Sequence, residues 1–200
     1  MEPIILASGS PRRQDFFRLL GLPFTCVPSM INETPRPGLS PRQVAEDLAV
    51  QKATAVVEKI SKQQPECPEA QWVFGADTIV VLDGVIYGKP ADRNAARVML
   101  GCLAGRRHEV ITAMALYNGR KKKTDCRSVS CDVEFAPLLP AEIEWYLDTG
   151  EWEGAAGSYQ LQGVGGCFIK SIHGSPSNVA GLPLHDFYAI LKDNGYLYGG

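Results

Sequence analysis

A mixed α/β fold, with a β-sheet flanked by helices in a single domain over residues 1–200, is predicted by three features of the chain. Short apolar runs alternate with helix-like segments that carry their own start and stop residues, the pattern of strands joined by helices. Two dipeptides, Asp83-Gly84 and Asn118-Gly119, separate apolar runs in the manner of tight hairpins, so antiparallel pairs accompany the helix-connected strands. Length and composition agree: 200 residues with 45% apolar and 21% charged side chains match ordinary globular usage of about 45–50% and about 25%, which excludes disordered and fibrous chains.

Residues 3–7 read as a short buried strand. Ser8-Gly9-Ser10 then turns the chain into a helix with Ser10 at the N-cap and Pro11 at the first helical position, and Gly21 ends it. Phe16, Phe17, Leu19 and Leu20 supply its apolar face, leaving Arg12 and Arg13 in the first turn, where cations oppose the helix macrodipole. Two arginines there make sense if an anion binds at that terminus; solvated arginines are the plainer alternative. Residues 24–28 form a second strand, and the proline-rich loop over 32–39 carries one carboxylate, Glu33. The clearest helix follows, with Ser40 as cap, Pro41 at the first position, Gln43 completing a capping box, and Val44, Ala45, Leu48, Ala55, Val56 and Ile60 as its apolar stripe. Lys52 falls on that stripe, so its stem packs inward and its ammonium either snorkels to the rim or meets an anion.

Residues 61–71, with Pro65 and Pro68, form a connection, and residues 72–82 a strand run interrupted at Gly75-Ala76-Asp77-Thr78. Asp77 stands between Val73-Phe74 and Ile79-Val80-Val81, where an unpartnered buried charge costs several kcal/mol; a functional carboxylate is favoured over a strand-end acceptor. The hairpin at Asp83-Gly84 leads into Val85-Ile86-Tyr87. Gly88-Lys89-Pro90 lacks the glycine-rich loop and following Ser or Thr of a P-loop, and the helix capped by Asp92 continues through Ala95, Ala96, Met99, Cys102 and Leu103 to Gly105. Residues 110–117 and 126–135 are paired strands with Lys121-Lys122-Lys123 at the hairpin tip, and residues 140–148 a helix. Gly150, Gly154, Gly157, Gly163, Gly165 and Gly166 then crowd together, which marks either a ligand cradle or tight turns. Gly-Val-Gly-Gly does not match the dinucleotide fingerprint, because strand-forming Cys167-Phe168-Ile169 follows where a helix should. A closing helix carries Phe187, Ile190 and Leu191.

Twenty basic against twenty-two acidic side chains give a formal charge of -2, which argues against a protein that coats nucleic acid electrostatically. The apolar runs fall far short of the roughly 20 residues of a membrane helix, and Ile4 to Ala7 is too short for a signal peptide's apolar region, so a cytoplasmic protein is expected. The six cysteines show no CxxC spacing and read as reduced, mostly structural thiols; the three histidines lack metal-site spacing.

The residues that fit no structural role are Ser8, Arg12, Arg13, Lys52 and Lys89 as cationic or hydrogen-bonding groups, Glu33 and Asp77 as carboxylates, and Gln162 among the glycines. This set suits a polyphosphate. A nucleoside triphosphate carries about four negative charges, which several Arg and Lys donors and a divalent cation on carboxylates would neutralise. No Ser-His-Asp, Cys-His or GxSxG pattern is present, so attack by a water activated by a metal or a carboxylate is the simpler mechanism.

Five separated segments carry a resemblance: Leu6-Ala-Ser-Gly-Ser-Pro-Arg-Arg13 followed by a helix, Gly75-Ala-Asp-Thr78, Gly88-Lys-Pro90, Ala156-Gly-Ser-Tyr-Gln-Leu-Gln-Gly163 and Asn178-Val-Ala-Gly-Leu-Pro-Leu184. In this order they resemble the Maf family of nucleoside triphosphate pyrophosphatases over nearly the whole chain. The resemblance implies a cytoplasmic α/β enzyme with an elongated, twisted sheet in two lobes around a nucleotide cleft, often a homodimer, with neither nucleic acid nor membrane as partner. It would cleave between the α and β phosphates, releasing nucleoside monophosphate and pyrophosphate in a housekeeping role for the nucleotide pool. By similarity Asp77 is the proton acceptor, with Lys52 and Lys89 beside it in catalysis. Ser8, Arg12, Arg13, Glu33, Thr78 and Gln162 bind substrate, and Glu33 and Asp77 hold Mg2+ or Mn2+. Two departures stand out: the loop reads Ile-Asn-Glu-Thr at Glu33 where neighbouring carboxylates are common, and Pro176 replaces a frequent Tyr.

The family divides into a subgroup acting on dTTP and UTP and another acting on 7-methyl-GTP, which differ at the positions of Arg12, Thr78 and Gln162. The second subgroup resembles Ser-Pro-Trp-Arg in the first motif, with Gln after the catalytic Asp and Glu before the glycine; this chain has none of these, which implies dTTP, UTP and modified uridine triphosphates. A regulator of septum formation that binds nucleotide without turnover is the competing expectation.

Overall fold

The computed structural model describes residues 1–63 and 72–196; the expected connection around Pro65 and Pro68, and Cys67, lie outside the described residues. A seven-stranded mixed sheet is flanked by helices, as expected. Its strands are β1 (Ile4–Leu6), β2 (Phe24–Cys26), β3 (Trp72–Leu82), β4 (Val85–Tyr87), β5 (Arg107–Asn118), β6 (Lys123–Phe135) and β7 (Ile169–His173). The helices are α1 (Pro11–Leu19), α2 (Pro41–Gln63), α3 (Arg93–Leu103), α4 (Pro140–Asp148), α5 (Pro176–Val179) and α6 (Leu184–Asp193). The strand order is β2-β1-β3-β5-β6-β7, with β4 paired to β3. β1 runs parallel to both neighbours, Ile4 opposite Phe24 and Ile5 opposite Val73, whereas β3–β4 and β6–β7 are antiparallel.

The start residues of α2 and α3 and the first hairpin act as the sequence predicts. Ser40 N–H donates to Gln43 Oε1 at 2.9 Å while Gln43 N–H donates to Ser40 Oγ at 3.4 Å, closing the capping box of α2. Asp92 Oδ1 accepts from Ala95 N–H at 2.8 Å at the start of α3. Asp83 and Gly84 take φ of 50° and 77°, the left-handed pair that a two-residue hairpin requires. Three expectations need correction. Ser10 occupies the N-cap of α1 without a side-chain cap; instead its N–H donates to Ser8 Oγ at 3.2 Å. β3 is uninterrupted through Gly75-Ala76-Asp77-Thr78, because all of its residues except Thr78 are buried and the polar-outward alternation that marks a half-exposed strand never develops. Cys167 and Phe168 belong to a 3₁₀ turn over Val164–Phe168, and the strand begins only at Ile169.

The chain divides into two compact units, each with its own apolar core. The first comprises Met1–Asp77, Thr112–Val129 and Gly181–Gly200. Its core gathers Ile4, Leu6, Phe17, Trp72, Phe74, Met114, Leu116, Phe187, Ile190 and Leu191, all fully buried or nearly so. Phe17, Phe74 and Phe187 contact one another with ring centroids 4.8 to 5.7 Å apart, a tilted and edge-on cluster that fixes α1 and α6 against β3. Trp72 stacks edge-on with Tyr196 at 5.5 Å and donates its indole N–H to Glu2. The second unit comprises Thr78–Ile111 and Ser130–Ala180, and its core includes Val80, Leu100, Leu103, Val110, Phe135, Tyr146 and Phe168. On its surface Arg93 and Arg97 of α3 grip Glu144 of α4, whose carboxyl is held down to about 2 by hydrogen bonds from Arg97 and Arg93.

Candidate functional site

Gly75 determines how closely α2 can lie on β3. A Cβ at this position would fall 2.5 Å from the Ala49 carbonyl oxygen and 2.7 Å from the Ala53 nitrogen, so a side chain of any size would push the helix off the strand. That close approach carries Lys52, one residue before Ala53, to Asp77, two residues beyond Gly75. Lys52 Nζ donates to Asp77 Oδ1 at 2.6 Å and lies 2.9 Å from Glu33 Oε1. The side chains of Lys52 and Asp77 are only 7% and 8% exposed, and that of Glu33 is 39% exposed. The inward lysine therefore does not snorkel: its ammonium is shared between a buried carboxylate and a partly solvated one. The proline-rich loop supplies the second partner from far along the chain.

Ser8 and Arg13 form a second buried cluster in the same unit. Arg13 donates from Nε to the Gly181 carbonyl at 2.9 Å and from Nη1 to Ser8 Oγ at 3.2 Å. Burial lowers its pKa to about 10; the fields of Asp77 and Glu33 oppose that shift and Arg12 adds to it, and the group stays cationic at neutral pH. The first-turn arginines thus divide. Arg13 has acceptors in the chain itself, which compensates its unfavourable position at the helix terminus, whereas Arg12 remains half-buried in the first turn.

The remaining candidates belong to the second unit. Thr78 follows Asp77 in β3 and is half-buried, and Lys89 lies exposed between β4 and α3. Gln162 is exposed in the turn before the 3₁₀ segment. The Lys89 and Gln162 segments are tied together by Gly157 N–H, which donates to the Gly88 carbonyl at 3.1 Å. Gly157 has φ of 66°, and a Cβ on it would approach Val80 Cγ2 to 2.8 Å. Gly157 is therefore a tight-turn residue packed on the strand beneath it, and Gly150 and Gly154, with φ of 73° and 64°, are turn residues as well.

Sequence reasoning missed Glu151 and Gly75. Glu151 presents both carboxylate oxygens to main-chain amides of the glycine-rich turn, and the available signal was an acidic residue beside Gly150 at the start of the glycine-rich segment. Gly75 is required by the contact of α2 with β3, which no local pattern signals. Among the described residues no group of three or more His, Cys, Asp and Glu side chains is placed to hold a metal ion, and no helix is long and apolar enough to cross a membrane. The five cysteines described are free.

The architecture resembles that of the Ham1 protein of Staphylococcus aureus, which superposes with a TM-score of 0.54 at 15% identity over 96% of this chain and 99% of that one. At that identity the likeness concerns the fold. A family profile described as Maf-like protein matches residues 3–194, and the chain belongs to that family. Among its relatives is a dTTP/UTP pyrophosphatase of Symbiobacterium thermophilum, 43% identical over 196 residues and covering 98% of this chain and 96% of the relative. The protein of the same name from Escherichia coli O157:H7 is 42% identical over 193 residues, covering 96% and 93%.

Proposed function

We propose that this chain hydrolyses dTTP and UTP to the nucleoside monophosphate and pyrophosphate. The observation that carries the reading is the buried Lys52 ammonium held between Asp77 and Glu33 in a member of a family whose relatives bear that activity in their names. In this reading a water oxygen attacks the α-phosphorus, the bridging P–O bond to the β-phosphate breaks, and pyrophosphate leaves. Asp77 accepts the water's proton, and Lys52, donating to Asp77 Oδ1, orients its carboxylate for the transfer. Ser8, Arg12, Arg13 and Lys89 are read as donors to phosphate oxygens, with Arg13 the most constrained because its Nε and one Nη are already engaged.

Glu33 and Asp77 offer hard oxygen donors of the kind Mg2+ or Mn2+ uses, one or two carboxylates completed by substrate phosphates and water, so the donor set fits a metal that arrives with the triphosphate. Such an ion would neutralise triphosphate charge. A regulator without turnover is not favoured, since it would have no use for a buried carboxylate with a lysine partner. The enzyme is read as cytoplasmic and homodimeric, acting on free nucleotides.

Base choice is assigned to Arg12, Thr78 and Gln162. A neutral Gln162 amide both donates and accepts, matching the carbonyl and imide N–H edge of uracil or thymine. One such matched contact supports about 10- to 100-fold preference, from the roughly 1–3 kcal/mol of a buried hydrogen bond. The test is pyrophosphate release from a panel of dTTP, UTP, CTP, purine triphosphates and 7-methyl-GTP with Mg2+ or Mn2+, and with chelator. dTTP and UTP are expected to lead, chelation to abolish turnover, and comparable kcat/KM for 7-methyl-GTP and UTP would overturn the specificity reading.

A further inference from the structure

Gln162 is exposed, yet the chain on either side of it is tied to one residue, Glu151: the flank after it to the carboxylate and the flank before it to the main-chain carbonyl. Glu151 Oε1 accepts from Val164 N–H at 3.0 Å and Oε2 from Gly165 N–H at 3.3 Å, while the Glu151 main-chain carbonyl accepts from Gln160 Nε2 at 2.6 Å. Gln160 stands two residues before Gln162 and Val164 two after. Glu151 is itself anchored: its N–H donates to Thr149 Oγ1 at 3.2 Å, and its neighbour Trp152 donates the indole N–H to the Leu147 carbonyl at 3.0 Å, at the end of α4.

Three glycines follow from this arrangement. A Cβ on Gly163 would sit 2.5 Å from Glu151 Cδ and 2.6 Å from Oε1, and closer still to Oε2, so the carboxylate occupies the side-chain space of the residue after Gln162. Gly163 has an extended backbone, φ -109° and ψ -157°, which other residues can adopt; the space taken by the carboxylate is what excludes a side chain. A Cβ on Gly165 would meet the Gln160 carbonyl oxygen at 2.9 Å, and one on Gly166 the Leu161 carbonyl oxygen at 2.6 Å. The turn is closed upon itself around an acidic side chain that, among the described residues, has no ion-pair partner. A carboxylate with two oxygens and no cation is satisfied by main-chain N–H groups only if the turn keeps its conformation.

We propose that Glu151 is the positioning residue for Gln162: its carboxylate clamps the flank after Gln162 and its main-chain carbonyl ties the flank before it, so the Gln162 amide meets the base at one fixed angle without Glu151 touching the substrate. This rests on the reading of Gln162 as a base-recognising residue, and it adds the source of that residue's pre-organisation. Glu151→Gln keeps size while replacing one acceptor oxygen with an N–H2 that faces an N–H, so the clamp opens on one side with little change elsewhere.

The experiment measures kcat and KM for UTP and CTP with the unmodified enzyme, Glu151→Gln, Gln162→Ala and the double variant. Glu151→Gln is expected to lower the UTP-over-CTP ratio of kcat/KM about 10-fold, mainly through KM for UTP, and to add nothing further in the Gln162→Ala background. A merely structural role would lower kcat/KM for both nucleotides alike and leave their ratio unchanged, and that result overturns the proposal. If Gln162→Ala itself leaves the ratio unchanged, the reading of Gln162 fails, and the proposal fails with it. A ratio altered by Gln162→Ala and untouched by Glu151→Gln rejects the clamp alone. Should Glu151→Gln not fold, Gly163→Ala pushes on the same carboxylate from the other side and is expected to depress the same ratio; an unchanged ratio in that variant is equally fatal.

Discussion

Lys52 has two carboxylate partners of unequal exposure, and the difference sets what each removal should do. Asp77→Asn leaves the ammonium its contact with Glu33, so the fold should survive while turnover falls about 10²- to 10⁴-fold, the usual contribution of a general base. Near-normal pyrophosphate release by a folded Asp77→Asn protein would remove Asp77 from the mechanism. Lys52→Met strands the buried Asp77 carboxylate, and denaturant unfolding should register a loss of roughly 3–5 kcal/mol; a loss below about 1 kcal/mol, the range of exposed pairs, would mean that Asp77 is far better hydrated than its 8% exposure implies. His108 carries a pH dependence of its own. Burial lowers its pKa from 6.5 to about 4, only partly opposed by Asp132, and its Nε2 lies 2.9 Å from Tyr159 Oη. The unfolded chain therefore binds a proton between these values that the native state refuses. Stability is full above about pH 6.5 and lost as pH falls towards 4, by on the order of 3 kcal/mol. His108→Gln should flatten that slope in denaturant titrations at pH 7 and pH 4.5, and an unaltered slope would assign it to other groups.

Gly75 is the point at which α2 and β3 must touch for Lys52 to reach Asp77. The atoms that an added methyl would meet are main-chain atoms, which cannot rotate away, so Gly75→Ala should cost about 1–3 kcal/mol by overpacking. It should also lower turnover of the folded fraction, since a displaced α2 takes the ammonium with it. Equal turnover at full folding would show that the Lys52–Asp77 contact tolerates movement. Individual helices were legible because their signals are local: Ser40 and Gln43, or Asp92, need only residues three positions away. β3 was misread for the same reason in reverse. Its Gly75 and Asp77 look like interruptions until α2 and Lys52 are laid against them, and that is tertiary information. The partnership of Glu33 with Lys52 and the clamp of Glu151 were illegible likewise, whereas Arg12, Arg13, Lys52 and Asp77 stood out as charge placed where a strand or helix should not carry it.

At the scale of the whole chain, neither unit is a continuous stretch. The chain passes between them at Asp77/Thr78, Ile111/Thr112 and Val129/Ser130, all inside strands, and at Ala180/Gly181. No linker separates two autonomous pieces, which is why composition shows no boundary. A chain ending at Ala180 would lose Leu182, Phe187, Ile190 and Leu191 from the first core and the Gly181 carbonyl from Arg13. Single truncations such as Phe187→Ala cost about 3–5 kcal/mol, so losing all of these exceeds a typical total of roughly 5–15 kcal/mol. The shortened chain should lack native circular dichroism and cooperative melting; a cooperative melt would mean that the second unit and the rest of the sheet stand without α6.

The buried indole of Trp72 has one more use. It sits 1% exposed against Tyr196 in the first unit, while Trp152 is half-buried and Trp145 53% exposed in the second, and the chain has three tryptophans in all. Replacing Trp145 and Trp152 by Phe leaves a chromophore that reports from the first core alone, with blue-shifted emission that should redden when that core opens; replacing Trp72 reverses the view. The protein thus carries its own pair of optical probes, through which the order in which the two cores loosen under denaturant could be watched without attaching a dye.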